Sequence, residues 1–172
     1  METVIASLSG GSGFGSGCSD GPWIVNPDFD DPIWPGAWLP SNSVHRSSPG
    51  FTGLWLAELP VGAAAEGDSQ LVQAIIIPSG RAFTVGFNYL SRNVASWSTT
   101  LSVTFSLGSY TSQPITFFGA SYWNYQVVTL GPVNDPSECF PVVFSIKASI
   151  VSEVLPDVPK SIQIDGLRFI SN

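Results

Sequence analysis

The tryptophans are the residues of this sequence best suited to chemistry at a surface. A pyranose ring stacks its flat face on a π surface, and planar polar side chains beside that surface read the hydroxyls. Trp34, Trp55 and Trp97 are the candidate ligand platforms. Trp97 stands out, because Arg92-Asn93-Val94-Ala95-Ser96-Trp97-Ser98 is a polar connection that offers an indole little burial. Trp123 and Tyr125 are further candidates, but they share a strand face with Val127, so core packing is their expected role. Exposed aromatics of this kind serve equally well as anchors in a protein interface.

Catalytic sets are missing from the pattern. The single histidine, His45, lies in a Ser-rich loop with no activated nucleophile beside it, so it reads as a surface residue. Glu58, Glu66, Glu138, Glu153 and the aspartates form no spacing that marks a pair of catalytic carboxylates. The sequence is therefore expected to be non-enzymatic. Two cysteines and one histidine do not make a zinc site by spacing. Cys18 and Cys139 leave two states open, a disulfide stapling the N-terminal segment or two free thiols. With no secretory signal at the start of the sequence, free thiols are expected.

Composition narrows the function further. The 172 residues suffice for one domain with a core, and 44% are hydrophobic. Only 11% are charged, well below the roughly 25% of an ordinary domain. So sparse a charge suits either a neutral Ser/Thr-rich surface or one covered by neighbouring subunits. A net charge of −7 with scattered arginines argues against nucleic acid as a partner. No apolar run approaches the roughly 20 residues of a membrane helix, so no membrane partner is expected.

The elements that must position these residues read as strands. Residues 1–21 form a Gly/Ser-rich arm with no charge between Glu2 and Asp20, and Val4, Ile5 and Leu8 are its candidate anchors on a neighbour. The arm fits neither G-x-G-x-x-G nor a phosphate loop. Residues 22–172 carry about nine strand-like runs: 23–26, 53–59, 70–77, 83–89, 99–107, 113–118, 122–130, 142–150 and 161–170. The most regular are Gln70–Ile77 and Phe83–Tyr89, read as a strand pair around the Pro78-Ser79-Gly80 turn. Phe83, Phe87 and the isoleucines 75–77 are expected to build core. Leu101, Val103, Phe105 and Leu107 alternate inward with Ser and Thr outward. Short strands, regular turns and no amphipathic helix predict an all-β jelly-roll sandwich with an extended N-terminal arm.

Four motifs occur in the order found in the galactose-binding-like jelly rolls, a family that includes many carbohydrate-binding modules. Asn26-Pro27-Asp28-Phe29-Asp30 resembles the "N-G-x-F-E" opening, with Trp38 as the tryptophan after it. Gly67 to Ile75 resembles the "G…l-x-Q-x-i" strand, and Ala82 to Tyr89 the "Y-t-l-s-F-d-Y" strand. Ile164-Asp165-Gly166-Leu167 is similar to the terminal "I-D-x-v" strand. The resemblance implies that Trp38 is core. It also implies a structural calcium between Asp30 and Asp165, with Asp28 and Asp31 as alternative ligands. Against this stands a plainer reading, in which Asp30 caps a turn and Asp165 merely ends a strand.

The fold hosts many roles, so function is weighed separately. The leading expectation is a virion structural protein, such as a phage capsid decoration or tail component. It would be a homo-oligomer, for example a trimer, holding a major capsid protein or its own copies through the arm. The alternative is a carbohydrate-binding, lectin-like adhesin that recognises glycans through exposed aromatics. Functional residues are expected in the arm and in the loops around Trp34 and Trp97.

Overall fold

The computed structural model describes residues 18, 23–41, 43–61, 69–92, 99–117, 122–153 and 160–171. Among them are eleven strands and no helix: β1 (Leu39–Pro40), β2 (His45–Ser47), β3 (Leu56–Val61), β4 (Ser69–Pro78), β5 (Phe83–Arg92), β6 (Thr99–Leu107), β7 (Tyr110–Thr111), β8 (Ile115–Phe117), β9 (Asn124–Leu130), β10 (Cys139–Glu153) and β11 (Lys160–Ser171). All pair antiparallel, in two sheets. One runs β1-β4-β10-β6-β7, with β8 also on β6; the other runs β2-β3-β11-β5-β9. The two sheets face each other as a jelly-roll β-sandwich.

Alternation builds the core between them. Leu71, Ile75 and Ile77 from β4, Phe83, Val85 and Phe87 from β5, and Leu101, Val103, Phe105 and Leu107 from β6 are all buried. Trp38 and Phe29 fill one part of the layer, with rings 5.6 Å apart, and Phe144 packs beside Trp38. Each such side chain removed from water contributes roughly 1.5–3 kcal/mol.

The run 70–92 is not a hairpin. β4 pairs with β10 from Ser69↔Ala148 to Pro78↔Cys139, whereas β5 pairs with β11 and β9 in the opposite sheet. The turn at Pro78-Ser79-Gly80 therefore carries the chain across the sandwich. Ile76 departs from the expected core as well: it sits between two inward isoleucines, and alternation turns it outward.

The expected strand at 23–26 does not form. Its backbone is satisfied by a side chain: the buried Gln73 amide accepts from Val25 N–H at 2.8 Å and donates to Val25 C=O at 2.9 Å. One glutamine thus replaces one rung of a ladder, and the segment needs no neighbouring strand. Three short strands, β1, β2 and β7, come from stretches whose sequence carries no alternation.

Candidate functional site

β9 is the edge strand of the five-stranded sheet, and its two faces are the reverse of what hydrophobicity suggests. Leu130 and the half-buried Val128 turn inward, while Tyr125, Val127 and Thr129 face solvent. Tyr125 is 56% exposed, so the expectation that it packs in the core is incorrect. The edge position explains this, because an edge strand has less of the opposite sheet above it to bury a second large face.

Tyr125 lies across the sheet rather than standing off it. Its register partner is Asn88, and the next outward position of β5 is Gly86. A Cβ at position 86 would fall inside the Tyr125 hydroxyl. The absence of that atom lets the ring lie down over the sheet, which is a common reason for a glycine inside a strand. Two residues before Tyr125, Trp123 is half-buried with its ring 5.4 Å from that of Phe51, which is 51% exposed; Tyr122, 69% exposed, lies near Tyr89 instead. Tyr125 and the Trp123–Phe51 pair therefore give this end of the sheet three aromatic side chains. Arg168, exposed and paired in register with Gly86, and Asn88 supply planar polar groups along it.

A polar cluster occupies the same sheet further along. Glu58 accepts from Ser161 Oγ at 2.6 Å and from Gln163 Nε2 at 3.1 Å, and His45 Nε2 lies 3.8 Å away. Burial pushes the Glu58 carboxyl up, but hydrogen bonds from Ser161, Gln163 and Ser47 and the nearby His45 outweigh it and hold the group below its ordinary value. The other end of the Gln163 amide, Oε1, is buried without a hydrogen-bond partner. His45 is exposed, as expected of a surface residue.

The Phe51 loop is held by two carboxylates. Asp165 Oδ2 accepts from the N–H groups of Phe51 (2.6 Å) and Thr52 (2.8 Å), and its Oδ1 from Gly166 N–H (2.7 Å). Asp30 accepts from Trp55 N–H (2.9 Å) and Leu54 N–H (3.4 Å), and packs where a side chain at Gly53 would stand. Burial raises the Asp165 carboxyl in spite of its donors. Both acids, implied calcium ligands in the sequence, thus face N–H donors, a set that does not fit a cation's need for oxygen lone pairs. Asp28 takes the Thr52 hydroxyl (3.2 Å), and Asp31 accepts from Ile33 N–H (2.8 Å). Among the described residues no three acidic, histidine or cysteine side chains converge on a metal position.

Two of the three candidate platforms, Trp34 and Trp55, lie among the described residues. Trp34 and Trp55 are brought together, but by Arg46: its guanidinium lies 4.3 Å from the Trp55 ring centre and 5.9 Å from that of Trp34. Arg46 Nη1 also donates to the carbonyls of Phe29 and Asp31. Their π faces are therefore engaged by a structural cation. Trp97 and the arm residues Val4, Ile5 and Leu8 lie outside the described residues. Trp38 is core, as the resemblance implied. The cysteines correct a further expectation: Cys18 and Cys139 form a disulfide, with Cα atoms 5.6 Å apart. Compartment arguments carry no information on such proximity.

The Tyr125 face was legible in principle. The outward set Tyr125-Val127-Thr129 follows from period two, and Gly86 two residues from Asn88 marks a close approach. What sequence lacks is which side of β9 meets the other sheet.

No protein-family model and no curated protein matches this sequence. Solved structures share its fold. The module TmCBM61, in complex with β-1,4-galactotriose, superposes with a TM-score of 0.57 at 12% identity over 87% of this chain and 98% of its own. A cyclase from Fischerella sp. TAU gives 0.58 at 13% identity over 87% and 96%. The enzymatically active domain of tailspike protein 4 of bacteriophage CBA120 gives 0.51 at 15%, over 87% of this chain but 21% of that one. Carbohydrate-binding modules recur among these structures. The likeness fixes the jelly-roll fold and leaves function to the site.

Proposed function

We propose that this protein binds glycans through the outer face of its five-stranded sheet and catalyses no reaction. The observation that carries the reading is the Tyr125 ring laid over Gly86, with its outer side in solvent and the Trp123–Phe51 ring pair at the same end of the sheet. A flat ring held against a sheet loses little freedom when a sugar stacks on it, and apolar sugar C–H groups gain contact there. Asn88 and Arg168 supply the polar contacts that fix a sugar's orientation. An open sheet face suits a chain segment lying along it better than a single enclosed sugar. That several carbohydrate-binding modules adopt this fold supports the reading.

The test is affinity electrophoresis and calorimetry of the oxidised chain against soluble galactan, xylan, mannan and glucan. At least one should retard the protein, and Tyr125→Ala should weaken it by roughly tenfold, the equivalent of about 1.4 kcal/mol. Absence of binding across the panel, or a Tyr125→Ala variant that binds as well, refutes it.

Two observations favour a second reading, a virion component: the sparse charge of the sequence and the likeness to part of a tailspike domain. In that reading the aromatic face meets a host glycan or a neighbouring subunit. A stable oligomer with no affinity for any polysaccharide would favour it.

A further inference from the structure

On the reading that the outer face of the five-stranded sheet binds glycans, we infer that its ligand carries isolated carboxylate groups and that Arg168 reads them. The side chain owes its position to a bulge in β11. The register of β11 on β5 slips between Asp165, opposite Asn88, and Arg168, opposite Gly86, so three steps on one strand match two on the other. Gly166 sits in the slip with a φ of +60°, a conformation that favours glycine. The slip exchanges the faces of the residues after it. In an unbroken strand Leu167 would follow Gln163 and Asp165 outward, and Arg168 would point into the core. Instead Leu167 is 3% exposed and Arg168 stands in solvent.

The bulge brings Arg168 to the aromatic platform. Residues opposed across an antiparallel pair share a face, with Cα atoms about 5 Å apart. Arg168 therefore rises beside Gly86, where the Tyr125 hydroxyl lies. Asn88 leans the other way: its Nδ2 is 2.9 Å from where a Cβ on Gly166 would stand. Two glycines thus let Tyr125 and Asn88 lie low on the sheet, with the longer arginine standing next to them. A sugar stacked on the Tyr125 ring presents its substituents to that guanidinium.

The guanidinium is uncommitted. No described residue forms an ion pair or a hydrogen bond with it. Arg46, by contrast, is held by two indoles and two backbone carbonyls. Asp165, the only acid of β11, accepts instead from the N–H groups of Phe51, Thr52 and Gly166. The planar fork of N–H donors on an arginine matches a carboxylate in two parallel hydrogen bonds, which a neutral hydroxyl cannot reproduce. Net charge limits how densely those carboxylates can be spaced. At −7 the protein repels a dense polyanion, whereas one arginine answers one acid on an otherwise neutral chain.

The test compares each acidic glycan with its own carboxyl-reduced form, in which the acid has become an alcohol and the chain is otherwise the same. Glucuronoxylan and a highly esterified pectin, each beside its reduced form, are titrated into the full chain at about 50 mM salt, where charges are lightly screened. At least one acidic form should bind roughly three- to tenfold more tightly than its reduced partner, the range of a partly exposed charge-assisted pair. Arg168→Gln, a change at a solvent-facing position whose folding is checked by Tm, should bind both forms alike. Arg168→Lys should recover only part of the difference, because an ammonium lacks the planar fork. Tyr125→Ala should weaken the acidic and reduced forms by the same factor. Equal affinity of the wild type for both forms, lost in Tyr125→Ala, would overturn this inference and leave glycan binding standing. An acid preference untouched by Arg168→Gln would overturn it as well, and no binding to any form would refute both readings.

Discussion

Replacing Asp165 by alanine should release the loop that presents Phe51. The carboxylate takes three N–H donors at 2.6, 2.8 and 2.7 Å, from Phe51, Thr52 and Gly166. Hydrogen bonds to a charged acceptor are worth about 1.5–3 kcal/mol each. Phe51 and Thr52 are exposed residues, so water recovers part of the loss for two of the three. The burial cost of the ionised group, which raises its carboxyl, is also removed in the variant. A net cost of about 2–4 kcal/mol results. For a domain of this size each kcal/mol lowers Tm by roughly 2–4 °C, so calorimetry in chelator should show a fall of about 4–16 °C. Asp165→Asn keeps an oxygen acceptor and should lose about half as much. The sign with pH follows from the raised carboxyl. The folded state holds its proton more tightly than the unfolded one, so this group's contribution is most favourable in acid and declines as pH rises through the window above 3.8. The gap between wild type and Asp165→Asn should therefore narrow over that window. A Tm unchanged by Asp165→Ala would refute the reasoning. So would a wild-type Tm that falls by a comparable amount on adding chelator, because an ion would then be holding the loop.

Three other changes have definite outcomes. Gly86→Ala should lift the Tyr125 ring and reduce glycan retardation as far as Tyr125→Ala does, with a Tm close to wild type, since the obstructing atom is the end of a flexible side chain. Glu58→Gln should destabilise at neutral pH; the wild-type advantage, present above 4.5, should vanish as pH falls through the lowered folded value, as read from urea midpoints at pH 7, 4 and 3. Arg46→Lys should cost about 1–3 kcal/mol and shift tryptophan emission, because a lysine cannot lie between two indoles while bonding two carbonyls.

The parts of this fold legible in sequence are those fixed by local alternation. β6 runs from Thr99 to Leu107 with its inward and outward sets as expected, and β4 and β5 fall within a few residues of their sequence bounds. What alternation cannot supply is partnership. Pro78-Ser79-Gly80 reads the same whether it joins neighbours in one sheet or crosses between two. The same gap hid the site: Tyr125 and Val127 were seen to share a face, but which face meets the opposite sheet depends on β9 being an edge strand. Trp34 and Trp55 were read as separate candidate platforms, and their meeting depends on Arg46, which strand patterns do not reveal. The acids at 30 and 165 were expected to share a calcium, and each instead accepts backbone N–H donors of one loop. Their common partner is the 51–55 backbone, whose N–H groups leave no trace in side-chain spacing.

The order of strands has a bearing on how the molecule comes into being. β10 lies between β4 and β6 in one sheet, and β11 between β3 and β5 in the other. The last two strands of the sandwich in chain order are thus the central members of both layers. During translation β3 to β6 can emerge with only their outer neighbours, β2, β1, β9, and β7 with β8, and still lack the long strand that joins them across each sheet. Such non-local topologies fold slowly, and their early strands wait with unpaired edges. Until β10 and β11 are made, each sheet exists only as separate strand pairs, and the two layers cannot be completed.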